Sequence, residues 1–393
     1  MSGAVDLAVI GGGIHGVGVA QAAAAAGWSV TLLEQYPGLA QGTSSRSSKL
    51  IHGGLRYLES GQFHLVRESL AERELLLRIA PELVTLSPFH IPVYAGSRRP
   101  GWQVRAGLSL YAMLGNLGKH ARFGTLPRTA WDRLDGLTTE GLKAVYRYYD
   151  GQTDDAALTR AVMASARSLG ATLELSARVE AVELGVDGVT LRYLQRGQDR
   201  ELRARAVVNA SGPWVNRVLA TARPAQRALD VELVQGAHLV LPGRLMKGIY
   251  YVEAPDGRVI FAIPWRENIM VGTTETPWTD DPAASYPLDS EIDYLLASFR
   301  RVFPTRGVAK RDVVAAFAGL RVLPGGGGAA FGRSREDVLL TDGGRPPRLL
   351  SIYGGKLTTY RATAAKVIAK LAAALPAREP RGDTRELTLS PVD

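Results

Sequence analysis

The segment DLAVIGGGIHGVGVAQAAAAAGWSVTLLEQ, from Asp6 to Gln35, decides the fold of this chain. It runs through an apolar strand, a glycine-rich turn, an alanine-rich helix, a second apolar strand and an acidic residue, which is the order of a dinucleotide-binding βαβ unit. A G-x-G-x-x-G motif is formed by Gly11, Gly13 and Gly16. In that motif the first glycine makes a tight turn, the second admits a pyrophosphate against the backbone, and the third lets the helix pack closely on the sheet. The segment therefore predicts a Rossmann-type α/β domain.

The end of the second strand indicates which dinucleotide binds. Glu34 stands where a carboxylate accepts the hydroxyls of an adenosine ribose and repels a 2′-phosphate, so FAD or NAD is favoured over NADP. The amides of Ile14 and His15 begin the helix, and helix N-terminal amides bind phosphate groups. We expect this loop to hold the pyrophosphate.

Length and composition restrict the chemistry. A chain of 393 residues predicts two or three packed units, and 46% hydrophobic with 22% charged residues is typical of a soluble globular protein. Because the chain has no cysteine, disulfides, thiolate catalysis and cysteine-bound metals are excluded. The six histidines show no metal-ligand spacing, so we expect no metal site. A redox role would rest on an organic cofactor.

The ends and the charge of the chain predict its setting. The first residues do not resemble a signal peptide, and no apolar run approaches the roughly 18 to 20 residues that span a bilayer, so we expect a cytoplasmic protein. A net charge of +9 attracts anions. Since the basic residues are scattered and no nucleic-acid-binding motif accompanies them, a phosphorylated substrate or an anionic membrane surface is favoured over nucleic acid.

Periodicity predicts the remaining elements. Apolar alternation predicts an antiparallel sheet over residues 231–322, whereas the residues after Pro376 are predicted to be mobile. The other predicted elements are a helix over Gly61–Ile79, a helix capped at Asp154-Asp155 and ending at Ser168, a hairpin of Val179–Leu184 with Val189–Leu194, a strand over Leu349–Tyr353, and a glycine turn that opens a helix over Gly354–Leu375.

Eight motifs occur in order over most of the chain. They are IGGGIHGVG at 10–18, TSSRSSKLIHGGLRYLE at 43–59, TDDA at 153–156, NASGPWV at 209–215, IPW at 263–265, GTTE at 272–275, GLR at 319–321 and GGKLTTYRATA at 354–364. Together they resemble the FAD-dependent glycerol-3-phosphate dehydrogenases, a flavoprotein family that includes the α-glycerophosphate oxidases. The last motif carries most of the resemblance, because G-G-K followed by T-Y-R at this spacing is close to a family signature.

The resemblance implies a fold and an activity. It implies an α/β protein with a glutathione-reductase-like Rossmann domain that binds FAD, built from residues 1–85, 145–225 and 325–376. An antiparallel-sheet substrate domain would comprise residues 86–144 and 226–324, with a tail at 377–393. The implied reaction is oxidation of sn-glycerol 3-phosphate to dihydroxyacetone phosphate by hydride transfer to flavin N5. The +9 charge and the amphipathic segment Gly101–Leu114 predict peripheral contact with the inner face of the cell membrane, where a quinone would accept the electrons.

The chain also departs from the family pattern. Gln235 stands where a lysine is familiar, His15 replaces a common asparagine, and the helical C-terminal domain of the family is missing. We expect the core chemistry to persist, whereas membrane attachment, oligomeric state and the acceptor surface stay open.

The resemblance assigns the substrate side of the site. Arg321 and Lys356 are implied to position the reacting hydroxyl, Arg335 and Tyr57 are implied to lie toward the phosphate, and Arg56 is implied to bind the substrate. These residue types suit the task, because arginine binds phosphate oxygens in pairs and lysine acts as a compact point charge.

Two histidines are candidates for the general base, because a neutral imidazole accepts protons near neutral pH. His52, in the matched IHGGLR segment, is favoured, and its alternative role is a hydrogen bond to the flavin. His238 is the second candidate, and its alternative role is that of a buried strand residue.

The cofactor side involves backbone and hydroxyl groups of several segments, and Thr358 and Thr359 are expected near the N1–O2 edge of the flavin. The residues implied to contact FAD are Gly11, Gly13, Ile14, His15, Gly16, Glu34, Thr43, Ser44, Ser45, Ser48, Lys49, Leu50, Gly212, Gly355, Lys356, Leu357, Thr358 and Thr359.

Several alternatives stay open. The amphipathic segment Gly101–Leu114 is either a membrane-surface helix or a helix packed on the substrate domain. The rival functions are a flavin oxidase of an amine or another 2-hydroxy acid, and a flavin-bound regulatory protein without catalysis.

Overall fold

The computed structural model describes residues 4–325 and 336–392, which form two large β-sheets with helices packed on them. Its strands are β1 Val5–Ile10, β2 Val30–Leu33, β3 Leu50–Ile51, β4 Val84–Tyr94, β5 Gly124–Thr125, β6 Leu142–Thr153, β7 Thr172–Glu174, β8 Ala177–Leu184, β9 Val189–Gln195, β10 Gln198–Asn209, β11 Ala222–Arg223, β12 Val231–Pro242, β13 Ile249–Glu253, β14 Val259–Trp265, β15 Asn268–Gly272, β16 Thr276–Trp278, β17 Ala315–Pro324, β18 Val338–Thr341 and β19 Leu349–Tyr353. Its α-helices are α1 Ile14–Ala25, α2 Phe63–Ile79, α3 Gly101–Leu114, α4 Asp155–Ser168, α5 Val215–Ala220, α6 Asp289–Val302 and α7 Tyr360–Leu371.

The first sheet has a parallel centre. Strand β1 lies between β10 and β2, β7 follows β2, and β19 pairs with β10, all in parallel. Its central strands are apolar and buried on both faces, as parallel sheets require. Helix α1 packs against α4 and α7 on one face. Helix α1 also lies very close to the glycine turn that precedes it. A Cβ at Gly16 would lie only 1.8 Å from the Gly11 carbonyl oxygen, so this approach requires a glycine.

The second sheet is almost entirely antiparallel. Its order is β16-β12-β15-β14-β13-β4-β6-β3, with β17 also pairing with β12 and β5 with β6. Among the described strands of this second sheet, only the pair β13 and β4 is parallel. Helix α6 covers one side of this sheet through Leu295 and Phe299, and α2 and α3 lie over another part of it.

Most of the predicted elements are confirmed. The βαβ unit, the helix that ends at Ile79, the 179–194 hairpin and the strand 349–353 are present. Asp154 caps α4 by accepting hydrogen bonds from the amides of Ala156 and Ala157. The α/β class, with a Rossmann sheet and an antiparallel sheet, is confirmed. The domain boundaries stay predictions.

Two predictions need correction, and helices α5 and α6 were not predicted. The last helix begins at Tyr360 instead of at the glycine turn, because Gly354 and Gly355 have φ of +74° and +96°. Most described residues after Pro376 are exposed, but the segment is anchored: the Leu389 side chain is buried and its amide donates to the Ile79 carbonyl. Helix α6 lies inside a segment for which only strands were predicted.

Candidate active site

A cavity of about 370 Å³ is lined by residues of both sheets. Most residues implied by sequence to form the site line it, namely Gly11, Gly13, Ile14, His15, Glu34, Thr43, Ser44, Ser48, Leu50, His52, Arg56, Tyr57, Gly212, His238, Arg321, Gly355, Lys356, Leu357 and Thr358. Four others do not line it: Gly16, Ser45, Lys49 and Thr359. Arg335 lies outside the described residues. The tertiary structure thus brings most of the candidates to one place, and their individual roles stay predictions.

At the nucleotide end, Glu34 is tied to the glycine turn. Its carboxylate accepts hydrogen bonds from the Gly12 amide at 2.5 Å and the Tyr36 amide at 2.8 Å. Burial raises the pKa of Glu34, and these backbone hydrogen bonds oppose the shift. Hydrogen bonds from two backbone amides therefore fix the position of the Glu34 carboxylate at the end of the second strand.

The residues present fit an FAD molecule. Gly11 and Gly212 have φ of +110° and +56°, so the backbone at both positions has a conformation that suits glycine. A Cβ at Gly355 would lie 2.4 Å from the His15 imidazole. Nδ1 of that buried ring has no hydrogen-bond partner among the described residues. These features suit a dinucleotide with a polar ring system. The turns carry glycines, Glu34 supplies an acceptor, and Nδ1 of His15 is left without a partner among the described residues.

The side chain of Asp155 binds the turn at residues 45–49. This buried carboxylate accepts from Lys49 Nζ at 2.6 Å and from the Ser47 hydroxyl at 2.7 Å. Lys49 Nζ also donates to the Ser45 carbonyl at 2.9 Å. The Lys49 ammonium therefore fastens the turn to α4 instead of reaching the cavity. The sequence indicated Asp155 only as part of a helix cap, so this contact was missed.

His238 is a buried strand residue with a neutral ring. Nε2 lies 2.9 Å from the Ser48 hydroxyl, and the ring stacks on Phe317 with centroids 5.0 Å apart. Burial lowers the pKa of His238 to about 3, and the charges of Arg321 and Lys49 add to the shift. The imidazole is therefore uncharged at neutral pH.

His52 follows β3 and is held by Thr358. The His52 amide donates to the Thr358 hydroxyl oxygen at 3.1 Å, which joins two segments that are 306 residues apart. The His52 ring meets the Phe261 ring edge to face, with centroids 6.4 Å apart. The position of this histidine in the cavity is therefore set by its backbone.

Two cationic side chains, Lys356 and Arg56, lie against Tyr57, and Arg321 shares an acidic partner with Arg56. Lys356 Nζ lies 3.9 Å from the centre of the Tyr57 ring, and the Arg56 guanidinium lies 5.3 Å from it. Arg56 and Arg321 both contact Oε1 of Glu275, at 3.4 Å and 3.2 Å. This cluster has the charge to hold an anion. The role of Glu275 was missed, although the GTTE motif contains it.

A second cavity, of about 280 Å³, adjoins the first. Leu55, Tyr251 and Val259 contribute to the walls of both cavities. Its other wall includes α3, whose inner face buries Val104, Leu108 and Tyr111 while Trp102 and Met113 are 74% and 59% exposed. No helix in the described ranges is long and apolar enough to cross a membrane.

Comparison with known proteins assigns the family. A family model described as FAD dependent oxidoreductase matches residues 6–361. This chain belongs to that family. The oxidoreductase is 41% identical over 378 residues to the glycerol-3-phosphate dehydrogenase of Pseudomonas aeruginosa, covering 93% of this chain and 71% of the relative. It is 38% identical over 377 residues to the D-erythritol 1-phosphate dehydrogenase of Brucella abortus, covering 93% and 73%.

A solved structure supports the same family and its cofactor. The FAD-dependent oxidoreductase superimposes on the glycerol-3-phosphate dehydrogenase of Bacillus halodurans complexed with FAD with a TM-score of 0.76 and 30% identity. The superposition covers 98% of this chain and 68% of that one. FAD is therefore the cofactor, as the family resemblance implied and in agreement with the choice of FAD or NAD that the glycine turn and Glu34 predicted.

Proposed function

We propose that this flavoprotein oxidises sn-glycerol 3-phosphate to dihydroxyacetone phosphate. The observation that carries the proposal is the cluster of Arg56, Arg321 and Lys356 at the cavity. A substrate with one carboxylate needs a single arginine clamp, whereas several cations suit a phosphate dianion. Two relatives named for the oxidation of phosphorylated polyols add support.

The reaction removes a proton from the hydroxyl oxygen and a hydride from its carbon. FAD, when bound, supplies the acceptor for the two electrons. His52 takes the hydroxyl proton as the general base. Arg321 and Lys356 stabilise the negative charge that develops on the substrate oxygen, while Arg56 and Tyr57 hold the phosphate.

His238 is a weaker candidate for the base. Its Nε2 is engaged with Ser48, its ring stacks on Phe317, and the ring is only 2% exposed. We assign His238 to support of the Ser48 segment beneath the cofactor.

Anaerobic flavin bleaching tests the substrate. We expect sn-glycerol 3-phosphate to bleach the bound flavin, D-erythritol 1-phosphate to do so more slowly, and glycerol, lactate and glycine to have no effect. Bleaching by lactate or glycine would instead identify an oxidase of a hydroxy acid or amine. If no compound reduces the flavin, the non-catalytic alternative is favoured.

We further propose that a quinone accepts the electrons and that α3 contacts an anionic membrane. The second cavity supports this because apolar side chains such as Leu58, Ile91 and Val104 form much of its wall. The exposed Trp102 and Met113 place two large apolar side chains on the outer side of α3, and the exposed Arg98 and Arg105 add basic charge near its N-terminal end.

Liposome sedimentation tests the membrane contact. We expect binding to anionic vesicles that decreases with salt, because exposed charges are screened over about 8 Å at physiological ionic strength. Trp102→Ser with Met113→Ser should weaken binding, whereas Met246→Ser, at a more exposed methionine elsewhere, should not. No sedimentation with vesicles, together with peroxide release as fast as quinone reduction, would favour an oxidase that does not bind membranes.

A further inference from the structure

Glu275 joins two arginines that come from distant parts of the chain. Arg56 lies in the short 3-10 turn Leu55–Leu58, and Arg321 lies in β17. Oε1 of Glu275 is within 3.4 Å of Nη1 of Arg56 and within 3.2 Å of Nη1 of Arg321. The two arginines line the cavity and Glu275 does not, so the carboxylate lies behind the guanidinium groups.

The segment that carries Glu275 is fixed by a buried network. The Thr274 hydroxyl donates to Oε1 of Glu291 at 2.6 Å and accepts from the Ala237 amide at 2.8 Å. The Thr276 hydroxyl donates to the same Glu291 oxygen at 2.7 Å. Both neighbours of Glu275 are therefore anchored, and the position of its carboxylate is set before any ligand binds.

A second bond fixes the orientation of Arg321. Its Nη2 lies 3.3 Å from the Thr273 hydroxyl oxygen, while Nη1 contacts Glu275, so two atoms of one segment hold one guanidinium. The Glu275 side chain is 8% exposed, whereas each arginine side chain is 22% exposed. A carboxylate this well buried interacts more strongly with its partners than a surface carboxylate does.

We propose that Glu275 is a positioning residue that joins Arg56, which holds the phosphate, to Arg321, which contacts the reacting oxygen, and so sets the orientation of the bound phosphate ester. The proposal rests on the proposed function. An arginine has five N–H donors, so a bond to Glu275 uses only part of each group. Without Glu275, the positively charged guanidinium groups of Arg56 and Arg321 lose the carboxylate that they share. They would still attract an anion but would hold it in several orientations.

The variant Glu275→Gln separates orientation from attraction, because it keeps the shape and removes the charge. For the holoenzyme we expect the dissociation constant for inorganic phosphate, followed by the flavin absorption, to stay within about 3-fold of wild type or to decrease. The kcat for sn-glycerol 3-phosphate should fall at least about 10-fold, because a misplaced reacting carbon slows the chemical step. Glu183→Gln, which removes an exposed partner of Arg192, is the matched control and should change neither value.

Several outcomes would overturn the proposal. They are a wild-type kcat in Glu275→Gln, or a loss of phosphate affinity with an unchanged kcat, since the second result marks uniform binding. Flavin content and melting temperature verify folding, and Glu275→Asp, which keeps the charge, should retain more kcat than Glu275→Gln. If sn-glycerol 3-phosphate does not reduce the wild type, the proposed function fails. The kcat of the variants is then compared with whichever compound bleaches the flavin, and the titration with inorganic phosphate is done in the same way.

Discussion

The Tyr111 hydroxyl accepts a hydrogen bond from the Gly53 amide at 2.8 Å and thereby connects α3 to the turn that follows His52. The same hydroxyl donates to Oδ2 of Asp150 at 2.5 Å, and Asp150 is also paired with Arg73. All of these side chains are buried. A helix with an exposed outer face is thus linked to the position of the candidate base.

Tyr111→Phe should lower both stability and activity. The substitution leaves the Gly53 amide and one Asp150 oxygen buried without this partner, which costs about 1 to 3 kcal/mol. We expect a lower urea midpoint and a lower kcat. Tyr146→Phe is the control, because Tyr146 also anchors α3, through the Gly101 carbonyl, but does not touch the Gly53 turn. Equal losses of kcat in the two variants would contradict a specific link to His52.

His238 should make the folded protein sensitive to acid. Its pKa is about 3 in the folded state and near 6.5 in the unfolded chain, so between these values the unfolded chain binds a proton that the folded protein does not. The free energy of unfolding should therefore fall as the pH decreases from about 6.5 to about 3, by up to about 1.4 kcal/mol per pH unit.

His238→Gln removes that contribution, and unfolding in urea at pH 4, 5, 6 and 7 measures it. The variant should show a shallower dependence of stability on pH than the wild type. His64→Gln, at an exposed histidine of α2, should keep the wild-type dependence. If the free energy of unfolding depended on pH in the same way in His238→Gln and in the wild type, His238 would have the same charge in the folded and the unfolded state.

Glu34→Gln should weaken the binding of FAD. The amide side chain keeps the size but loses the charge, and it presents one oxygen acceptor instead of two. The Gly12 and Tyr36 amides then leave less acceptor capacity for the ribose hydroxyls of FAD. Loss of hydrogen bonds to a charged group costs about 1.5 to 3 kcal/mol, which corresponds to about a 10-fold or greater rise in the dissociation constant. Flavin fluorescence quenching on titration of the apoprotein measures it. An unchanged constant would mean that Glu34 supports only the turn, and Glu174→Gln, on the neighbouring strand β7, controls for sheet effects.

Lys356→Ala should raise KM and lower kcat for sn-glycerol 3-phosphate. A cation that contacts the reacting oxygen stabilises both the bound substrate and the transition state, and its removal costs about 1.5 to 3 kcal/mol, or about 10- to 150-fold in kcat/KM. The control is Lys366→Ala in α7, where the lysine pairs with Glu68 away from the cavity. Steady-state kinetics at matched flavin content decide the outcome. Wild-type constants for Lys356→Ala would remove this residue from the site.

The sequence by itself determined the secondary-structure elements that depend only on residues close together in the chain. The glycine spacing of Gly11, Gly13 and Gly16 and the apolar strands beside it specify the βαβ unit, because turn geometry and strand burial depend on adjacent residues. Asp154 was recognised as a helix cap for the same reason. The cofactor and most residues of the cavity also followed from motifs that are contiguous in the chain.

The tertiary structure decided which side chains meet across the chain. Glu275 contacts Arg56 and Arg321 from 219 and 46 residues away, and Asp155 holds Lys49 from 106 residues away. No periodicity encodes such pairs, because they depend on how two sheets and their connecting segments pack. The same holds for the C-terminal residues, whose polar composition predicted mobility although Leu389 enters the core beside Ile79. Local sequence fixes backbone conformation, whereas the burial of one apolar side chain against distant elements fixes the path of a whole segment.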